Sequence, residues 1–397
     1  MNFPDALFYL RYPREDCDSL LAEGIEDSFM VHAGDKINWD ELDEWVRSKS
    51  DWIFGWVGYD VRTCIEQLGE ESLRSSSFPK LVLFRPRNLF KLKGSRHEVL
   101  KGMWHDALDC WRDTSSVHST DPIQLDPQVD FLRYFGCVSS LKNEIAAGNV
   151  YELNYCIPFE SSASLNDPIG TWKNIYAKTE APFSAFARLG HFHVMCASPE
   201  RYLKRFGNQV ISQPIKGTIK RGDTPQEDEL LKNQLQRSRK ERAENVMIVD
   251  LVRNDLSRVA LRNSVQVDEL FELKTFKTLH HLVSTVRCEV SSQTTWVDLI
   301  RATFPMGSMT GAPKVSAMKL ISAHEESERG IYSGSIGYIE PSGDFDFNVV
   351  IRGLQYDGEQ QTISCHVGSA ITALCDAESE YRECLLKAEA ILNALRG

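Results

Sequence analysis

From residue 131 onward the chain sets groups of short strand-like segments between long helical ones. That order excludes the regular strand–helix alternation of a parallel βαβ sheet. Alternating or continuous apolar runs predict strands over 150–160, 183–189, 191–196, 198–203, 210–217, 265–271, 281–290, 333–339, 345–356 and 361–370. Helical spacing predicts helices over 131–148, 224–255, 296–304, 311–328 and 377–395. Earlier, residues 52–60 (WIFGWVGYD) read as strand and turn, 80–92 as a strand pair around Pro86, and 104–112 as a short helix. The pattern predicts an α+β fold of antiparallel strands. Residues 113–129, with two prolines and several Ser, Thr and Asp, form the best linker candidate. They set an N-terminal portion, 1–128, beside a larger region, 129–397, in a chain long enough for two domains or one composite domain.

Charge narrows the function. The formal net charge is −11, which argues against a general nucleic-acid binder, because phosphate neutralisation needs a basic face. An anionic substrate would need a locally positive site. No apolar run reaches the roughly 18 residues of a membrane span. The first residues, MNFPDALFYLRYPRED, lack a signal-peptide pattern. The ten cysteines contain no CxxC pair, so reduced, mostly buried thiols in a cytoplasmic protein are expected.

Several stretches carry candidate chemistry. Glu241 and Glu244 are three apart, Glu380 and Glu383 repeat that spacing, and Lys387 lies one turn beyond Glu383. Such pairs share a helix face. Two helices each offering two carboxylates could hold Mg²⁺, which takes one or two carboxylates directly and leaves positions for water and substrate. The same spacing also suits a solvated helix face. Lys216 ends an apolar strand beside Gly217. If desolvated, its amine loses a proton more readily and becomes a nucleophile. Glu200 sits in a Ser198-Pro199-Glu200 turn, where a buried cleft would keep it protonated as a general acid. Residues 305–314 (PMGSMTGAPK) are rich in glycine and hydroxyls and lead into a helix, whose N–H groups could take a carboxylate. His280 and His281 would face opposite sides of a strand.

Taken together, these stretches resemble the chorismate-utilising enzymes: anthranilate synthase large subunit, aminodeoxychorismate synthase component I, isochorismate synthase and salicylate synthase. The resemblance rests on GNVYELN (148–154), SPERYL (198–203), PIKGT (214–218), KERAENVMIVDLVRNDLSR (240–258), HLVSTV (281–286), FPMGSMTGAPK (304–314), GIYSGSIGYI (330–339) and residues 366–387. It implies one large composite α+β domain, with two packed antiparallel sheets and helices outside.

Within the family, Lys216 in Pro-Ile-Lys-Gly-Thr resembles the aminodeoxychorismate synthases, where the other members usually carry Ala. Tyr151-Glu152-Leu153-Asn154 lacks the lysine base of the water-activating members, and Ser308 replaces the Thr typical of anthranilate synthases. By resemblance, Glu244 and Glu383 would bind Mg²⁺ closely, and Glu241 and Glu380 through water. Glu200 would protonate the departing C4 hydroxyl of chorismate while Lys216 attacks C2. Ammonia, supplied by a separate glutamine amidotransferase subunit, would then enter at C4. Gly217, Thr218, His281, Ser308, Tyr332, Arg352, Gly368 and Lys387 would line the site. Arg352 would grip the pyruvyl carboxylate, and the two glycines would let backbone approach the ligand.

Ala370 departs from the family's Gly-x-Gly-Ile and would crowd a substrate carboxylate. The missing Leu-Glu-Ser-type motif implies no tryptophan feedback. An anthranilate synthase large subunit and a non-catalytic relative are the alternatives.

Overall fold

The computed structural model describes residues 5–69, 73–111 and 123–395. The first third contributes β1 (Ala6–Arg11), β2 (Ser19–Val31), α1 (Trp39–Arg47), β3 (Ile53–Val57), α2 (Arg62–Ile65), β4 (Leu81–Lys93) and β5 (Arg96–Lys101). Next come β6 (Asp126–Pro127), α3 (Phe131–Ala146), β7 (Glu152–Ser162), α4 (Pro168–Thr179), β8 (Phe183–Leu189), β9 (Phe192–Ser198), β10 (Arg201–Phe206), β11 (Gln209–Gln213) and β12 (Ile215–Lys220). Then follow α5 (Pro225–Arg237), α6 (Arg239–Ser257), β13 (Gln266–Thr275), β14 (Leu279–Glu289), α7 (Trp296–Thr303), β15 (Gly311–Ala312) and α8 (Lys314–His324). The chain closes with β16 (Ser335–Ile339), β17 (Phe345–Asn348), β18 (Gly353–Asp357), β19 (Thr362–Thr372) and α9 (Ala377–Leu395).

All strand pairs named here are antiparallel. One limb runs β1–β8–β9–β18–β19–β7. The other runs β3–β16–β17–β10–β11–β14–β13. The two sheets expected from the sequence are joined into one hydrogen-bonded network. The joint is the long β2–β4 ribbon: Leu20–Glu23 of β2 pair with β1, while Leu81–Phe84 of β4 pair with β3. The expected strand pair around Pro86 is therefore one strand. Pro86, which has no N–H to give a ladder, sits opposite Ile25 where β2 bulges.

Other boundaries move for local reasons. The single helix expected over 224–255 breaks at Ser238, which has extended backbone; its hydroxyl accepts from the Glu241 N–H and caps α6. Pro214 separates β11 from β12. The strand expected over 345–356 breaks after Asn348, and Arg352 takes a left-handed φ of 55°. The helix expected from 311 begins at Lys314, because Gly311-Ala312 pair with β7. The segment at 104–112 forms a 3₁₀ turn over Asp106–Trp111.

The linker reading falls partly on 112–122, outside the described residues. Its end does not behave as a linker, since Ile123, Leu125 and Val129 are buried. They join a core that combines Leu7, Tyr9, Leu21 and Phe90 with Tyr155, Trp172, Val367 and Cys384. The result is one composite α+β domain. In α6, Ile248, Val249, Val252 and Leu256 are buried, at about 1.5–3 kcal/mol each. That packing is what holds inward the carboxylates on the helix's first turns. All ten cysteines are free thiols and seven are buried, as expected. Among the described residues, no helix is long and apolar enough to cross a membrane.

Candidate active site

Glu200 lies in the turn between β9 and β10 and is 4% exposed. The Ser198 hydroxyl accepts from its N–H, and its carbonyl accepts from Val349 N–H. Its carboxyl therefore has a fixed origin. Ser308 Oγ donates to Glu200 Oε1 at 2.7 Å. Burial pushes this carboxyl up to about 7, against the pull of Ser308, the Ile215 backbone, Lys216 and Arg352. A carboxyl half-protonated near neutrality is what a general acid needs.

Ser308 is delivered by the 305–314 loop. The Met309 and Thr310 N–H groups bond inward to Met306 and Gly307 carbonyls, and Thr310 C=O accepts from Asn154. The loop contributes a hydroxyl side chain to the site, while these two N–H groups are already used.

Lys216, on β12, places Nζ 2.5 Å from Glu152 Oε1 on β7, with the Glu152 side chain buried and that of Lys216 partly so. The sequence predicts an amine that deprotonates easily on desolvation. The structure reverses that direction. Burial does work to lower its pKa, but Glu152, Glu244 and Glu200 outweigh it and hold the pKa above the usual lysine value.

Beside this pair, Thr218 Oγ1 lies 2.8 Å from His281 Nδ1, and Arg352 Nη2 lies 3.4 Å from His281 Nε2. Because a guanidinium only donates, Nε2 accepts and Nδ1–H donates to Thr218. Burial and Arg352 hold His281 well below the usual imidazole range, so it is neutral. Burial lowers Arg352 to about 10, opposed by Glu200. His280 faces the other way, onto Asp228 and Thr275.

The four carboxylates expected on two helices do face one another. Burial raises the pKa of Glu241, Glu244 and Glu380; Glu383 adds to the rise at Glu241 and Glu380, and Glu244 reaches about 7. At Glu383, burial is outweighed by Lys387 and the value falls. Lys240 lies 3.4 Å from Glu380 and 4.0 Å from Glu244, and Lys387 lies 2.7 Å from Glu383. Glu244 Oε1 is buried with no hydrogen-bond partner. Among the described residues, no three His, Cys, Asp or Glu side chains are arranged to hold a metal together. The donor set still suits Mg²⁺: hard oxygens, an orphaned buried oxygen, and a need for only one or two direct carboxylates.

Both glycines sit where protein atoms pack closely. Gly217 has φ +90°, and a Cβ there would meet Glu241 Cβ and Leu282 Cδ1 at 3.2 Å. It lets α6 approach β12. Gly217→Ala is expected to destabilise the protein by about 1–3 kcal/mol, read as a lower urea midpoint at unchanged slope. A Cβ at Gly368 would strike Cys156 Sγ at 2.6 Å. The Gly368 carbonyl accepts from Lys387 Nζ at 2.8 Å. Tyr332 joins this neighbouring group rather than Lys216 itself, stacking on His366 with ring centroids 5.5 Å apart.

Sequence reading missed three supports. Glu152, Asn154 and Cys156 share one face of β7, while Leu153, Tyr155 and Ile157 enter the core from the other. A Glu on a strand that is otherwise buried on both faces was the available signal. Asn245, 1% exposed, bridges the Lys216 carbonyl at 3.4 Å and the Ser284 hydroxyl at 2.6 Å. The buried Arg329–Glu325 pair ties the Met309 and Asn154 carbonyls together.

The model for chorismate binding enzymes matches residues 7–393. The chain belongs to this chorismate binding enzyme family. Aminodeoxychorismate synthase component 1 of Escherichia coli (strain K12) is 35% identical over 355 residues, covering 86% of this chain and 76% of that protein. The chloroplastic aminodeoxychorismate synthase of Arabidopsis thaliana is 41% identical over 268 residues, 66% of this chain; the match spans 29% of that protein's length. Anthranilate synthase component I from Streptococcus pneumoniae TIGR4 superposes with a TM-score of 0.82, at 24% identity, over 96% of this chain and 93% of that one. That likeness shows the fold. The family and the composite α+β architecture read from the sequence are therefore both observed.

Proposed function

We propose that this chain converts chorismate and ammonia to 4-amino-4-deoxychorismate through a covalent lysine intermediate. The carrying observation is that Lys216 and Glu200, whose carboxyl burial pushes up to about 7, feel each other's charge. Lys216 attacks C2, the ring double bonds shift, and the C4–O bond breaks. Glu200 gives its proton to the departing hydroxyl, which leaves as water. Ammonia then forms a bond to C4, the double bonds shift back, and Lys216 is expelled from C2. The new C4 ammonium returns a proton to Glu200. Splitting one displacement into two lowers the barrier of each. His281, neutral and locked by Thr218, orients Arg352, whose fork suits the pyruvyl carboxylate.

Glu244 and Glu383 would hold Mg²⁺, with Glu241 and Glu380 behind them; bound there, the metal neutralises the carboxylate of the ring. Lys240 and Lys387 partly balance those glutamates in the structure described here. The ammonia would come from a separate glutaminase subunit, and the work would be done in the cytoplasm. The named relatives support this reading, as does the lysine at residue 216.

The deciding experiment incubates the protein with chorismate, Mg²⁺ and ammonium salt and identifies the product. Aminodeoxychorismate without pyruvate release is expected; anthranilate with pyruvate would refute the reading. Stripping Mg²⁺ with a chelator is expected to reduce turnover at least about tenfold, because inward carboxylates then meet a dianionic substrate. Adding Mg²⁺ back should restore it.

A further inference from the structure

We propose that Glu152 is a catalytic residue of this site, the group that takes a proton from the Lys216 ammonium before attack and returns it when the lysine leaves. The inference rests on the proposed lysine chemistry and adds what that chemistry lacks, a way to free the amine's electron pair.

Geometry carries it. Nζ and Glu152 Oε1 are 2.5 Å apart, and Glu152 is 1% exposed. It is the one carboxylate within ion-pair distance of Nζ among the described residues. The other acids whose charge reaches Lys216 are elsewhere engaged or more distant. Glu200 accepts from Ser308, and Glu241, Glu244 and Glu383 belong to the carboxylate group on α6 and α9. Glu152 is also rigidly placed, since β7 is paired on both sides there, Glu152 lying opposite Ala312 of β15 and Thr372 of β19. Its second oxygen, Oε2, is buried with no hydrogen-bond partner. No competing donor therefore fixes that carboxylate in its anionic form.

The step balances within the pair. One Nζ–H bond of the ammonium breaks and an Oε1–H bond forms. The freed electron pair of Nζ makes the bond to C2. When C2–N breaks on ammonia entry, that pair returns to Nζ, which recovers the proton from Glu152. A surrounding of acids that keeps the lysine charged makes such an acceptor necessary.

The test uses the full chain with chorismate, Mg²⁺ and no ammonium, following the adduct on Lys216 by intact-protein mass over time. Glu152→Gln is expected to slow adduct formation about 10²-fold at pH 7. The ratio of variant to wild-type rate should then climb about tenfold per pH unit, as solvent replaces the missing acceptor. Glu152→Asp, which keeps a carboxylate, should recover at least tenfold of the loss and abolish the climb. A Gln variant with wild-type rate and a pH-independent ratio overturns the proposal. So does a slow variant whose ratio ignores pH and which Asp does not rescue, the result of a purely structural role. Absence of adduct and product in the wild type would instead defeat the functional reading itself.

Discussion

Lys216→Ala is expected to abolish aminodeoxychorismate formation, by on the order of 10³-fold or more in kcat, because the nucleophile is gone. The same change should also weaken the fold. It leaves Glu152, 1% exposed, with neither oxygen paired, and removing one partner of a buried ion pair costs about 3–5 kcal/mol. Inactivity of the Ala variant alone would therefore be ambiguous. Lys216→Arg separates the two effects: it keeps a cation for Glu152, Glu244 and Glu200, yet a guanidinium does not act as a nucleophile at neutral pH. The Arg variant should be as inactive as Ala and should melt much closer to the wild type. Turnover by either variant at a tenth of the wild-type rate would remove lysine from the mechanism.

Glu200→Gln is expected to cost about 10²–10⁴-fold in kcat and to erase a limb of the pH profile. The acid works only when protonated, and burial sets its midpoint at about 7. The wild-type rate should therefore be full below pH 7 and fall about tenfold per unit above it. The stability effect has the same origin. The folded state binds this proton more tightly than the unfolded chain, so the associated stability is present at low pH and lost as pH rises from about 4.5 to 7. The Gln variant carries no such charge and should be relatively more stable at pH 8 than at pH 5, by up to about 3 kcal/mol against the wild type. Urea unfolding at both pH values reads it. A wild-type profile flat from pH 6 to 9 would deny Glu200 the acid role.

The sequence made legible what is local. Ser198-Pro199-Glu200 announced a turn, the i,i+3 spacing put each pair of acids on one helix face, and His280-His281 split to opposite sides as a strand requires. It also carried the family and the fold class. What it left hidden is non-local. Whether Lys216 is an easily deprotonated amine or a tightly held ammonium depends on Glu152, 64 residues away in sequence. Local reading registered only that desolvation lowers a lysine's pKa; the opposing carboxylates come from three other segments. The break of the 345–356 strand at Arg352 was hidden for the same reason. Periodicity marks residues 345–356 as apolar, but Gly353 pairs with β9 while Phe347 pairs with β10 and β16, so the chain must change ladders between them. Gly217 was recognised as a close-approach position; that Glu241 is its neighbour follows from where Ser238 starts α6.

The most direct test of the covalent account is peptide mapping after incubation with chorismate and Mg²⁺ in the absence of ammonia. The account predicts an adduct of chorismate less one water on the peptide containing Lys216, discharged to aminodeoxychorismate when ammonium is added. Steady product formation with ammonium, but no adduct on that peptide at any time in its absence, would contradict it.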